Sequence, residues 1–372
     1  MNISQNYSVT IDSILVVCHA DVMLSKLRAV GVVPASVLLL SISCHGPATS
    51  VAPLAQRSAV VIRGSGSTFA ARYYKAVIPA LTKSVKDITV EYRPIGSGRG
   101  KAEFSTGATD FAGTDSTVKD TDGPKPGEFL YVPTTAGAIA VAFHLRGVNN
   151  LRFSPSTLAK IFQRDIRQWN DPEIASENPN IALPQKSIGV VHRADRSGTT
   201  SNFTKFLDSA AAGVWRLGFG DAVAWPVDTS QGDGNSRVAQ ILDNNNGAIG
   251  YVDLADAKAL NLRVAAIRNK SGAYVLPTST GVTAALSEAT FTDGLTYQPL
   301  DATGVLSYPL TAPTYILIRT NYSDQRTVDG VSAFLNFILT EGQDLAVRAN
   351  YARLPEPLRK LAIAQVQKIR VS

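Results

Sequence analysis

The sequence predicts an α/β fold built on mainly parallel sheets flanked by helices, and three observations carry that expectation. From Ala59 onward, short apolar runs of strand length alternate with stretches whose apolar residues recur at helical spacing. Turns rich in glycine and hydroxyl side chains stand where a strand hands over to a helix. With 372 residues, 45% of them apolar, the chain can form two domains of ordinary size around a sizeable core. The only cysteines are Cys18 and Cys44, which excludes a disulfide framework, a cysteine zinc site and a thiol nucleophile from the body. The net charge of +6 comes from scattered Lys and Arg, with no basic stripe interleaved with aromatics, so no nucleic-acid partner is expected.

The first element is a leader. Lys26 and Arg28 precede an apolar run from Ala29 to Ile42, and small residues follow. This is the order of a charged segment, an apolar segment and a cleavage zone, and the run is too short to span a membrane. Met23 offers a later start, which would leave residues 1–22 outside the leader proper. Two cleavages are open. Leu40-Ser41-Ile42-Ser43-Cys44 loosely resembles a lipobox, which would put a lipid on Cys44 as the one link to a membrane. Ala48-Thr49-Ser50 fits ordinary cleavage after Ser50. Either way the mature protein is exported, periplasmic or held at the cell surface, and residues 1–58 serve as leader and tether.

The body then follows in order. Ala59–Arg63 reads as a strand, and 68–83 as a helix with Phe69, Tyr73, Val77, Ala80 and Leu81 on one face. Ile88–Tyr92 is the second strand and Gly137–Leu145 a longer apolar one. Ser154-Pro155 opens a helix carrying Leu158, Ile161 and Phe162, with proline at its first position. Ile188–Val191, Ala248–Val252 and Thr314–Ile318 are further strands. Val331, Phe334, Leu335, Ile338 and Leu339 mark a helix closed by Gly342, and Leu358, Leu361, Val366 and Ile369 mark a last one.

Four turns carry the chemistry. Arg63-Gly64-Ser65-Gly66-Ser67-Thr68-Phe69 joins the first strand to the first helix. It lacks the Gly-Lys-Ser/Thr of a nucleotide-binding P-loop. Ile95-Gly96-Ser97-Gly98-Arg99-Gly100 follows the second strand, and its Ile95 breaks the Gly-x-Ser-x-Gly pattern of a hydrolase elbow. Asp115 ends the Phe111–Thr114 stretch. Arg193-Ala194-Asp195-Arg196-Ser197-Gly198-Thr199 sets one guanidinium and one carboxylate before a helix start, where free backbone N–H groups favour an anion. Taken singly, each has a plain reading as a turn or cap. Together they supply many neutral donors, one arginine and two carboxylates at strand ends, where open α/β sheets bind ligands. His144 and His192 stand without nearby acid clusters and make a poor metal site, His192 reading as a satisfied core residue. Asp233-Gly234-Asn235 reads as a turn.

These strings, with Trp169-Asn170-Asp171-Pro172 and Gly247-Ala248-Ile249-Gly250-Tyr251-Val252, resemble the periplasmic phosphate-binding proteins of the Pst ABC transporter from about Val60 to about Pro355. The resemblance implies a two-lobed periplasmic-binding-protein fold of type II with two crossover strands. Lobe 1 would be 59–138 plus 309–372, and lobe 2 would be 139–308. It implies that Thr68, Phe69 through its N–H, Ser97 and Asp115 hold inorganic phosphate from one lobe. Arg193, Asp195, Ser197, Gly198 and Thr199 would hold it from the other. Arg196 departs from the small or acidic residue expected there, and its side chain is expected to face solvent.

On that footing an ionised Asp115 accepts a hydrogen bond from a phosphate OH, whereas sulfate, which has no proton, would leave the carboxylate unpaired beside a dianion. Asp195 pairs with Arg193 and offsets its charge. The partners implied are phosphate and the permease and ATPase subunits of an importer, with no cofactor, metal or catalytic residue. The alternatives are another oxyanion such as sulfate, an exported phosphatase-like enzyme, and an exported sensor or adhesin. The enzyme would need a metal cluster or a Ser–His–acid set that the sequence does not display.

Overall fold

The computed structural model describes residues 59–119, 121 and 123–372. The expected leader, Cys44 and both cleavage zones lie outside them. The chain opens as a βαβαβ unit of β1 (Val60–Gly66), α1 (Ala71–Ser84), β2 (Ile88–Pro94), α2 (Ser97–Ser105) and β3 (Phe111–Thr114), followed by the long β4 (Phe129–His144). Next come β5 (Arg152–Phe153), α3 (Pro155–Phe162), α4 (Pro172–Glu177), β6 (Gly189–Arg193) and α5 (Gly198–Ala210). They are followed by β7 (Ser230–Gly232), α6 (Gly234–Asn244), β8 (Ala248–Asp253) and α7 (Leu254–Ala259). Short strands β9 (Arg263–Val264), β10 (Ala266–Arg268) and β11 (Tyr274–Val275) and helix α8 (Ser279–Ser287) precede the second long strand, β12 (Thr311–Arg319). The chain closes with β13 (Asn321–Tyr322), α9 (Gln325–Leu339), α10 (Gly342–Arg348), α11 (Glu356–Val366) and β14 (Arg370–Val371).

The main sheet runs β2-β1-β3-β12-β4-β8-β6-β7, with β9 also on β4. Its outer pairs, β1 with β2 and β3, and β6 with β7 and β8, are parallel. The pairs involving β4 and β12 are antiparallel, so the sheet is mixed. These are the two crossover strands of a two-lobed α/β fold. β4 pairs with β12 up to Ala138 and with β8 from Ile139 onward. Both long strands are buried along most of their length, as central strands covered on both faces must be.

Local chemistry explains where elements begin and end. Ser154 caps α3 by accepting the Thr157 N–H, and Pro155 fills the first helical position, as the sequence predicts. β1 runs on through Gly64-Ser65-Gly66, because these residues pair with both β2 and β3, so α1 starts at Ala71 rather than 68. β4 starts eight residues before Gly137. Its first half carries only the short apolar run Phe129–Val132 before Pro133, Thr134 and Thr135, and Pro133 is accommodated beside the irregularity opposite Thr314/Tyr315. α9 ends at Leu339 with Thr340 as its cap, and Gly342 opens α10 instead of closing α9. A Cβ on Gly342 would stand 2.8 Å from the Phe337 carbonyl oxygen, so close approach, not a helix stop, requires that glycine. α11 ends at Val366, and Ile369 packs into the core beyond it.

Candidate functional site

The site assembles where β1, β2, β3 and β6 hand over to turns. After β1, the Ser67 hydroxyl donates to Asp115 at 2.7 Å and accepts the Ala70 N–H. Thr68 is half-buried at the cleft. Phe69 is fully buried, with its ring edge-on to Tyr351, whose hydroxyl donates to the Phe69 carbonyl. The Phe69 N–H meets no protein acceptor among the described residues. After β2, Gly96 turns the chain at φ +93°, and a Cβ there would lie 2.2 Å from Asp195 Oδ2. That turn lets Ser97 open α2 with its hydroxyl 3.3 Å from both the Asp115 N–H and Oδ2.

Asp115, immediately after β3, is almost fully buried, and its carbonyl accepts from Asn202 Nδ2 at 2.6 Å. Burial pushes its carboxyl up to about 6, against the pull of Ser67, Thr314, Arg193 and Ser97. Such a group is ionised at pH 7 but needs a proton donor to offset its desolvation.

After β6, Arg193 lies buried, with Nε 2.7 Å from Asp195 Oδ1, Nη2 on Asp195 Oδ2 and Nη1 3.3 Å from Thr199 Oγ1. Burial raises the Asp195 pKa, but the Arg193 hydrogen bonds and charge outweigh it and hold the carboxyl below its usual range. The Gly234 N–H also donates to Asp195. Ser197 caps α5 through the Thr200 N–H, so Gly198 and Thr199 present N–H groups with no acceptor inside the helix. A Cβ on Gly198 would fall 2.6 Å from Ser97 Oγ and 2.8 Å from the Asp115 Cβ. The first turn of α5 therefore presses directly on the Ser97–Asp115 wall.

All nine residues singled out from the sequence converge on this one cleft. Arg196 is exposed, as expected, while its carbonyl accepts the Gly98 N–H at 3.0 Å. His192 is also satisfied. It stacks on Trp225 at 4.8 Å and bonds the Arg193 carbonyl and Thr229. Among the described residues no group of three or more His, Cys, Asp or Glu is placed to hold a metal.

Sequence reasoning passed over several residues of the site. Asn235, read as part of a turn, is fully buried. It reaches Thr68 Oγ1 through its backbone N (3.3 Å) and Nδ2 (3.1 Å), and Thr199 Oγ1 through Nδ2 (3.2 Å). The signal was available, because β7 followed by Gly234-Asn235 is one more strand-to-helix hand-over. Lys101 on α2 forms a buried ion pair with Asp221 at 2.8 Å, and Arg72 on α1 pairs with Asp256 on α7 at 2.5 Å. With the Gly98–Arg196 and Asn202–Asp115 bonds, these contacts hold the two sides of the cleft together in a closed arrangement.

Residues 52–341 match the family model of the PBP superfamily domain. The phosphate-binding protein PstS of Methanocaldococcus jannaschii is 34% identical, over 84% of this chain and 87% of its own. The phosphate-binding protein PstS of Haemophilus influenzae is 32% identical, over 82% and 91%. In fold, the chain is similar to the phosphate-bound high-affinity periplasmic phosphate-binding protein PfluDING. The TM-score is 0.68 at 20% identity, covering 82% of this chain and 93% of that one.

Proposed function

Because the chain belongs to the PBP superfamily, and within it to the PstS phosphate-binding proteins, we propose that it captures inorganic phosphate in the cleft and delivers it to an ABC-type importer. The observation that carries this reading is the pairing of opposite roles in one buried pocket. Arg193 is largely neutralised by Asp195, while Asp115 stands as a buried carboxylate among hydroxyl and amide donors.

A tetrahedral anion there is held by the hydroxyls of Thr68, Ser97, Ser197 and Thr199. The N–H groups of Phe69, Gly198 and Thr199 add to them, with Arg193 contributing a charge-assisted bond. Phosphate near neutral pH always keeps a proton, which it donates to Asp115. Sulfate has none to give and meets the carboxylate as a like charge. Neutral dipoles carry most of the binding, so the anion leaves without breaking a strong ion pair.

We assign 59–138 and 309–372 to one lobe and 139–308 to the other. The exchange of partners by β4 between Ala138 and Ile139 supports this division. Opening is a hinge motion at the crossover strands that separates Thr68, Ser97 and Asp115 from the α5 turn. The chain works outside the cytoplasm, released by its leader or anchored by a lipid on Cys44, and its partners are the permease and ATPase subunits. It has no catalytic step of its own. Calorimetric titration of the purified protein at pH 8 tests the reading. Phosphate binds with one-site stoichiometry and sulfate far more weakly; equal affinities, or no phosphate binding, would overturn it.

A further inference from the structure

The two threonines that face each other across the cleft share one partner, Asn235. A hydroxyl offers two acceptor lone pairs and one proton. Thr68 Oγ1 accepts from the Asn235 backbone N–H and from Nδ2. Thr199 Oγ1 accepts from the same Nδ2 and from Arg193 Nη1. Both lone pairs of both hydroxyls are therefore occupied by N–H donors. Neither hydroxyl proton has a protein acceptor among the described residues.

The orientation of the Asn235 amide is not arbitrary. The Asp253 N–H donates to Asn235 Oδ1 at 3.3 Å, which puts the oxygen on that side and turns the NH2 group toward the threonines. Asn235 sits at the start of α6, so the partial positive charge of the helix end adds to the same polarity.

We infer that Asn235 is a positioning residue for anion capture: by filling the acceptor sites of Thr68 and Thr199, it forces both hydroxyls to present their protons to the bound anion. This rests on the phosphate-binding reading above and assigns how two of its donors acquire their direction. It also gives closure a specific meaning. Thr68 and Asn235 lie on opposite sides of the cleft, so only the closed form sets the Thr68 proton inward. In the open form that hydroxyl is free to rotate.

The test compares two substitutions that a structural role would rank one way and this role ranks the other. Asn235→Asp keeps the shape and the bond from the Asp253 N–H, but replaces the NH2 donor with an acceptor that draws the threonine protons away from the anion. Asn235→Ala removes the NH2 donor together with the acceptor of the Asp253 N–H. Phosphate affinity, read by calorimetry, falls about tenfold in Asn235→Ala and about 100-fold or more in Asn235→Asp. A double-mutant cycle separates this from simple charge repulsion. In a Thr68→Ala background the penalty of Asn235→Asp shrinks by about threefold or more. Thermal melts of the ligand-free proteins check folding, and Asn235→Ser replaces the alanine variant if that one unfolds. Binding by Asn235→Asp as tight as by Asn235→Ala, or penalties that add fully with Thr68→Ala, would overturn the inference while leaving phosphate binding intact. Absence of phosphate binding in the unsubstituted protein would overturn both.

Discussion

Replacing Asp115 with asparagine is expected to strengthen the empty protein and weaken its grip on phosphate. The carboxyl is 2% exposed, and burial raises it from 3.8 to about 6. A folded-state pKa above the ordinary value means that the folded protein holds the proton more tightly than the unfolded chain does. The favourable contribution of Asp115 is therefore complete below about pH 3.8 and is lost as the pH rises through about 6. At pH 8 the buried charge costs about 3 kcal/mol in the absence of ligand. Asparagine keeps the shape and cannot ionise, so the melting temperature of ligand-free Asp115→Asn at pH 8 rises by on the order of 5 °C. Phosphate loses a charged hydrogen bond worth about 1.5–3 kcal/mol, so its affinity drops about 10- to 150-fold. Sulfate gains an amide donor where it faced a carboxylate, and its affinity rises. Scanning calorimetry and titration with each anion read all three effects. A variant that melts lower at pH 8 and keeps the same phosphate-to-sulfate preference would refute the reasoning.

Three further expectations concern the same cleft. In the unsubstituted protein the preference for phosphate over sulfate narrows as the pH falls from 8 to 5 through about 6, and in Asp115→Asn it stays flat; parallel titrations at each pH decide this. Gly198→Ala places a methyl group 2.6 Å from Ser97 Oγ and blocks closure, an overpacking cost of about 1–3 kcal/mol that appears as about 5- to 150-fold weaker phosphate binding. Lys101→Met leaves the Asp221 carboxylate buried without its ammonium and destabilises the closed protein by about 3–5 kcal/mol, whereas Lys101→Met with Asp221→Leu recovers most of that in a denaturant melt.

Much of this molecule is legible along the chain because its informative signals are local. Apolar runs such as Ile88–Tyr92 and the helical stripe Val331–Leu339 declare themselves within a few turns, and Ser154-Pro155 announces a helix start. The residues of the proposed site stand out for the same reason, since each lies at a strand end next to a glycine or hydroxyl that shapes a turn. What the sequence hides is set by contacts between distant segments. The first half of β4 is strand because β12 pairs with it, although Pro133 argues locally against one. Lys101 and Asp221 are 120 positions apart, and nothing near either marks it as one of a buried pair. Asn235 reads as a turn residue until Thr68, 167 positions away, arrives beside it.

In the proposed binding mode one protonated tetrahedral anion sits between Asp115 and the first turn of α5. Crystals of the mature protein grown with phosphate at pH 8 test it most directly. A single tetrahedral anion is expected within hydrogen-bond distance of Thr68, Ser97, Ser197 and Arg193, with one of its oxygens at hydrogen-bond distance from an Asp115 carboxylate oxygen. Phosphate bound instead in the cavity of about 1430 Å³ at the cleft mouth, among Arg72, Arg99 and Arg196, with the Asp115 pocket filled by water alone, would contradict it.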